Sequence, residues 1–418
     1  MATRLGRVLS KSPPLFRGAT DSCHGRSAVI KQIPHFQTYS QRKGFCRLLC
    51  SRAPKTQRHL FSWLSSSKLH KHQCACRRSL VTTIYNHEQP PQQTSTNPYQ
   101  IVQQELSTLS EDIKLLLKSS KKEIQELAQY YFDGQGKAFR PMIVLLISKA
   151  CNFHQEASNR ISQSQHKVAL IAEMIHTASL VHDDVIDGAY TRRNKPSVNN
   201  LWGQRKAILA GDFILSVAAV TLARIRHEKV VIILSQVIED LVRGEFMQLG
   251  SKEDENERFS HYLKKTFKKT ASLLANSCKA VAVLGNCEDD LVEMAYQYGR
   301  HVGIAFQLID DLLDYISSDA VLGKPTSADL RLGLATAPVL FAAQEYPELN
   351  PLIMRRFSEE GDVERAVELV KQSDGVRQTR MLAEKHCEEA VRLIQQLTDS
   401  PARSALIRVA EIVLSRNK

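Results

Sequence analysis

The chain has 418 residues and a formal net charge of +12, enough to bury a large core in one or two domains. The charge is unevenly spread: residues 1–85 hold 16 Lys/Arg against one acid, Asp21, or +15, which leaves −3 for residues 86–418. The body is close to neutral, so the basic balance is no argument for a nucleic-acid partner.

Residues 1–85 are rich in Arg and Ser, poor in acids and broken by Pro13, Pro14, Pro34 and Pro54. That is the composition of an organelle transit peptide, and mitochondrion is preferred to plastid. The alternative is a basic tail with no targeting role. Its apolar runs are too short for a membrane span, and it lacks the apolar core of a secretory signal. It holds Cys23, Cys46, Cys50, Cys74 and Cys76, but the stretch His70–Cys76 fits no common zinc spacing. Cys151, Cys278, Cys287 and Cys387 are scattered through the body and read as buried thiols.

Residues 86–100 read as a polar linker. From 101 to 418, apolar residues recur at helical spacing: Leu115, Leu116, Ile124, Leu127 and Tyr131, then Val168, Ile171, Ile175 and Val181, then Val231, Leu234, Val237 and Leu241. Glycines and prolines fall between these runs, and no alternating strand series or Gly-rich βαβ unit appears. The expectation is one all-α domain, a large helical bundle of about ten or more helices. No sustained heptad seam is present, so it is not a coiled coil.

Two acidic runs stand out, Asp183-Asp184-Val185-Ile186-Asp187 and Asp310-Asp311-Leu312-Leu313-Asp314. On a helix, residues i and i+4 lie about 40° apart and about 6 Å along the axis. Asp183 and Asp187 therefore share a face, as do Asp310 and Asp314. Carboxylates stacked in this way repel one another unless a cation sits between them. Oxygen-only ligands suit Mg²⁺, which completes its shell with water and substrate phosphate. Acidic helix faces are often just solvated, but both runs are embedded in apolar sequence, where charge needs a partner or a metal.

Basic residues surround the runs. Gly136-Lys137-Ala138-Phe139-Arg140 marks a helix start; Arg192 and Arg193 follow the first run; Lys268-Lys269-Thr270 opens an apolar helix; and Gly323-Lys324 follows the second run. Each set alone reads as a solvated patch. Together, cations beside metal-binding carboxylates imply a polyanionic ligand, and a diphosphate bridged to Mg²⁺ and gripped by Lys/Arg satisfies both. His176, two turns before Asp183 on nearly the same face, either donates to a diphosphate oxygen or is a satisfied core histidine. His182 is given no role. The implied chemistry is metal-assisted departure of diphosphate from carbon. No Walker A loop, dinucleotide fingerprint or nucleophilic Ser or Cys constellation competes.

These motifs resemble the trans-polyprenyl diphosphate synthases over about residues 100–418. The match runs through Gly136-Lys137 with Arg140, Glu173 to Asp187, Arg192-Arg193, Gly211-Asp212, Lys269-Thr270, Phe306 to Asp311 and Gly323-Lys324. Its most similar members are the long-chain synthases of animal mitochondria, which make the ubiquinone side chain. The resemblance implies that Asp183, Asp187, Asp310 and Asp314, with Asp184 and Asp311, hold Mg²⁺ on an allylic diphosphate such as farnesyl or geranylgeranyl diphosphate. Arg192, Lys269, Thr270, Gln307 and Lys324 would contact that substrate, with Lys269, Gln307 and Lys324 also counted as catalytic. Lys137, Arg140, His176 and Arg193 would hold isopentenyl diphosphate. The allylic diphosphate ionises, the isopentenyl double bond attacks, and the proton is lost to the released diphosphate. Asn194 stands where the family often has Gly, and Gly134-Gln135-Gly136 replaces a tighter glycine pair.

Product length is set, by that resemblance, on the helix before Asp183. Ala178 and Ser179 are small and Ile175 lies one turn further down, so a C45–C50 product is expected, although small residues also serve close helix packing. The resemblance also implies a hetero-oligomer with a second, motif-poor subunit and at most a peripheral membrane association on the matrix side. Three rivals remain: a short-chain C15–C20 synthase, a catalytically weak regulatory or scaffold subunit, and an all-α metal phosphohydrolase built on His182-Asp183. The last leaves Lys324 and the second acidic run unexplained.

Overall fold

The computed structural model describes residues 97–134, 136–193, 195–249, 255–316 and 327–416. The leader reading, most of the linker reading, Asn194 and Lys324 lie outside these residues. Helix α1 (Pro98–Ile101) begins inside the stretch read as linker. There Asn97 caps it by accepting from the Tyr99 N–H at 3.0 Å, with Pro98 at the first helical position. Then follow α2 (Gln103–Leu116), α3 (Lys122–Gln129), α4 (Phe139–Glu156) and α5 (Gln163–Ile186). The two-residue strands Thr191–Arg192 and Lys195–Pro196 form a hairpin, the only sheet among the described residues. After it come α6 (Val198–Trp202), α7 (Gln204–Ala223), α8 (Glu228–Leu249), α9 (Glu255–Thr266), a π-turn (Phe267–Ala271) and α10 (Ser272–Leu284). Helix α11 (Asp289–Ile316) carries the second acidic run. Six helices close the fold: α12 (Ala328–Arg331), α13 (Ala337–Glu345), α14 (Leu349–Met354), α15 (Asp362–Gln372), α16 (Gly375–Ile394) and α17 (Pro401–Leu414).

The expected all-α bundle is therefore what forms. Helix α10 is its centre, buried on every side from Ser272 to Val283 except at Lys279, and it packs against α4, α5, α8 and α11. A helix buried on nearly every face is a core helix. Helix α5 starts where Ser162 and Gln165 form a capping box, each side chain bonding the other's backbone N–H. Helix α11 crosses close to α10 and the π-turn because Gly299 and Gly303 have no side chain. A Cβ at Gly303 would lie 2.7 Å from the Ala271 Cα. That contact sets the next turn of α11, with Gln307, against Thr270.

Leu115 falls on helix α2 as its spacing implies and is 59% exposed, while Ile113 on α2 and Leu117 just after it are buried. One local expectation was wrong. Lys268, Lys269 and Thr270 do not open a helix. They form the π-turn inside one continuous helical stretch from Glu255 to Leu284. An extra residue in a turn re-aims side chains and is common at functional sites.

Candidate active site

The two acidic runs meet across the π-turn. Lys269 Nζ lies 4.0 Å from Asp183 Oδ1, and the next residue, Thr270, donates to Gln307 Oε1 at 2.9 Å. Gln307 Nε2 donates in turn to Asp311 Oδ1 at 2.8 Å. Consecutive residues of one turn thus reach the first run directly and the second through Gln307. Lys269 is held by Glu245 at 2.6 Å and Gln248 at 3.3 Å, both on α8. Gly244 permits this approach: a Cβ there would sit 3.0 Å from the Lys269 backbone nitrogen.

The six aspartates divide into two kinds. The middle residues are buried and bonded to protein. Asp184 accepts from Arg192 Nε at 2.9 Å, Arg192 Nη2 at 2.5 Å and the Tyr131 hydroxyl at 3.1 Å. Asp311 accepts from the Tyr262 hydroxyl at 2.5 Å as well as from Gln307. The outer residues are more accessible: Asp183, Asp310 and Asp314 are half-buried and Asp187 is exposed. Burial, opposed by Lys269 but reinforced by Glu245 and Asp187, pushes Asp183 up to about 6, and burial raises Asp187 as well. On this face Asp183, Asp187 and Glu245 share Lys269 as a cation. Asp310 pairs with Arg416 at 2.7 Å, an ion pair without an aligned hydrogen bond, and the guanidinium stacks 3.9 Å over the Phe306 ring. Asp314 accepts from the N–H groups of Ala328 and Asp329 at 3.1 and 3.2 Å and so caps α12.

A second group collects Arg140, His176 and Arg193. Burial first, then Arg140, Arg193 and Arg192, hold His176 well below its usual value, so its ring is neutral at pH 7. Burial also lowers Arg140, whose charged neighbours include Glu173, Asp310, Arg193 and Arg416. A neutral imidazole among three guanidinium groups can donate to an anion without adding charge. Lys137 is exposed just before α4. The charged groups acting on His176 are Arg140, Arg193 and Arg192. His182, given no role from the sequence, reaches Ile208 O at 3.2 Å and Asp212 at 3.4 Å and ties α5 to α7. Along α5, Ala178 and Ile175 are buried, and the half-buried Ser179 donates to His176 O at 2.8 Å.

Several site residues escaped the sequence reading. Glu245 and Gln248 had a signal, three apart after Gly244 on an apolar helix. Tyr131, Tyr262 and Arg416 had none, because they reach the site from 53, 49 and 106 residues away in sequence. Asp329 also had none: burial, then Asp311 and Asp314, raises it to about 7 beside Lys265.

Comparison with known proteins gives the family. The polyprenyl synthetase family profile matches residues 121–370. The human all trans-polyprenyl-diphosphate synthase PDSS1 is 59% identical over 350 residues, covering 82% of this chain and 84% of its own length. A probable mitochondrial hexaprenyl pyrophosphate synthase of Neurospora crassa is 44% identical over 368 residues, covering 77% and 82%. Among solved structures, a polyprenyl synthase of Caulobacter crescentus, complexed with calcium and isoprenyl diphosphate, superposes with a TM-score of 0.69 at 30% identity, covering 77% of this chain and 97% of that one. A decaprenyl diphosphate synthase of Rhodobacter capsulatus gives 0.69 at 27% identity, covering 77% and 98%. The profile match and the extent of the shared alignments show that the chain belongs to the polyprenyl synthetase family, as a trans-prenyltransferase similar to its long-chain members.

Proposed function

We propose that this protein makes a C45–C50 all-trans prenyl diphosphate for the ubiquinone side chain by repeated addition of isopentenyl diphosphate to farnesyl or geranylgeranyl diphosphate. The observation that carries the reading is the opposition of Asp183 and Asp187 to the second run across Lys269 and Thr270, with Arg140, His176 and Arg193 beside them. The carboxylate face fits Mg²⁺, and Asp183, Asp187, Asp310 and Asp314 are the residues that would hold it. Bound there, the metal supplies Lewis-acid stabilisation of the departing diphosphate. Asp184 and Asp311, engaged by tyrosine hydroxyls, are assigned to positioning their helices rather than to the metal. Lys269, Thr270, Gln307 and Lys324 orient the allylic diphosphate; Arg192 stands behind them on Asp184. Lys137, Arg140, His176 and Arg193 hold isopentenyl diphosphate with its double bond toward the allylic carbon. The proton leaves to the released diphosphate.

Helix α7 supports the assembly reading. Its inner face, with Ala207, Ala210, Ile214, Ala218 and Leu222, is buried, while Ile208, Leu209 and Val220 are exposed, as are Ile232 and Val242 on α8. The helix is long and apolar enough to cross a membrane by length and composition; with its inner face packed on α5, the exposed apolar outer face supports contact with another subunit, a motif-poor relative. Residues 1–85 act as the mitochondrial leader, and the greasy product implies loose association with the inner membrane.

Product analysis tests the whole. The protein receives Mg²⁺, farnesyl diphosphate and radiolabelled isopentenyl diphosphate, with and without extract from its source. Products of C40 or longer are expected, with extract dependence marking an obligate partner. Products ending at C15–C20 would remove the chain-length assignment to Ala178, Ser179 and Ile175. No Mg²⁺-dependent incorporation would restore the regulatory-subunit reading.

A further inference from the structure

A cavity of about 450 Å³ lies behind the isopentenyl-binding cluster, between α2 and the segment from Tyr131 to Ala138. Its size is that of a small-molecule site. Leu106, Leu109, Ile113 and Phe132 form apolar walls, and Lys137 and Arg193 supply cations. Glu173, Tyr99 and Ser110 complete the polar lining. Burial raises Glu173, whose charged neighbours are Arg140 and Arg193. Gly136 is what lets Arg193 reach this wall: a Cβ there would sit 2.9 Å from Arg193 Nη1. None of the aspartates of the two runs, nor Lys269 or Gln307, lines the cavity. A molecule inside it therefore touches two of the cations assigned to isopentenyl diphosphate, but neither acidic run.

We infer that this cavity is a regulatory site for a single-chain anionic amphiphile, whose head binds Lys137 and Arg193 and whose tail lies along Leu106, Leu109, Ile113 and Phe132. The apolar walls reward burial of an alkyl chain, and the cations demand an anionic head. Because the head subsite is shared, the occupant excludes isopentenyl diphosphate while leaving the allylic substrate and its metal in place. Elongation stops and primer binding continues. This inference rests on the isopentenyl assignment above for its consequence, but not for binding itself.

The test uses the full chain and n-octyl phosphate. In EDTA, calorimetry should show one site for octyl phosphate, displaced by isopentenyl diphosphate. Inorganic phosphate and octanol at the same concentration should bind far more weakly. In turnover, octyl phosphate at about ten times its dissociation constant should raise KM for isopentenyl diphosphate about tenfold and leave that for the allylic diphosphate unchanged. Leu106→Trp fills the cavity from a half-buried position and should weaken octyl phosphate binding about tenfold or more, with kcat and both KM values kept. Should that variant fold poorly, Ser110→Leu reads the same effect. No binding, binding that both variants leave untouched, competition with the allylic diphosphate, or equal binding of inorganic phosphate would each overturn the inference. An inactive chain that still binds octyl phosphate in EDTA would sink the proposed synthase activity and leave the cavity site standing.

Discussion

The two acidic runs have the same pattern, Asp-Asp-x-x-Asp, yet the fold treats them differently. Their middle residues are alike: Asp184 and Asp311 are both buried and both accept from a tyrosine hydroxyl. Their outer residues are not. Asp183 and Asp187 face each other, Glu245 and a single shared lysine, so that burial and like charge raise both. Asp310 and Asp314 already have protein partners, the C-terminal Arg416 and the N-terminus of α12. The first run's outer carboxylates share one lysine, while the second run's are engaged by an arginine and a helix N-terminus. One motif can therefore be committed to different partners, depending on what the rest of the chain brings to it.

The strongest way to break this comparison is to neutralise one carboxylate of each kind. Asp183→Asn should lower isopentenyl incorporation by about 10²–10³-fold and abolish the rise in Tm on adding Mg²⁺, with the metal-free fold intact. Asp184→Asn should act first on stability: it removes one partner of a buried pair with Arg192 and costs about 3 kcal/mol in urea unfolding. If Asp184→Asn folded as well as wild type, the division into metal-facing and positioning aspartates would be wrong.

Tyr131→Phe and Tyr262→Phe sharpen the likeness of the middle residues. Each removes a buried donor to a charged acceptor, at about 1–3 kcal/mol, and similar losses from the two are expected in denaturant unfolding. A pH series then probes the outer residues. Below about pH 6 Asp183 keeps a proton that a metal must displace, so the Mg²⁺-induced gain in Tm should be larger at pH 7.5 than at pH 5.5. The sign for the metal-free protein is the reverse: a raised carboxylate pKa means that this group's contribution to stability declines as pH rises from about 4 to about 6. The smallest effect belongs to Arg416→Ala. Removing the resident counter-ion of Asp310 should tighten Mg²⁺ binding at the second run several-fold in calorimetry without substrate. Weaker binding there would mean that Arg416 does not compete with the metal.

Much was legible in the residue order because helices write their geometry into spacing. The apolar period announced an all-α bundle, and the i, i+4 repeat placed Asp183 with Asp187 and Asp310 with Asp314. The lysine and arginine sets were legible because cations beside acids imply an anionic ligand. Which face of its helix Leu115 takes was not legible, because an apolar residue near a helix end can fit the period on either face and only packing chooses.

The sequence by itself determined the helical class and the two carboxylate faces, since each follows from spacing within a few residues. Only the tertiary structure decided that Asp184 and Asp311 turn inward to tyrosines, that Lys269 sits in a π-turn between the runs, and that Arg416 answers Asp310. Those pairings join residues far apart in the chain. They depend on how close two helices can approach, which glycines such as Gly244 and Gly303 permit and no local spacing records.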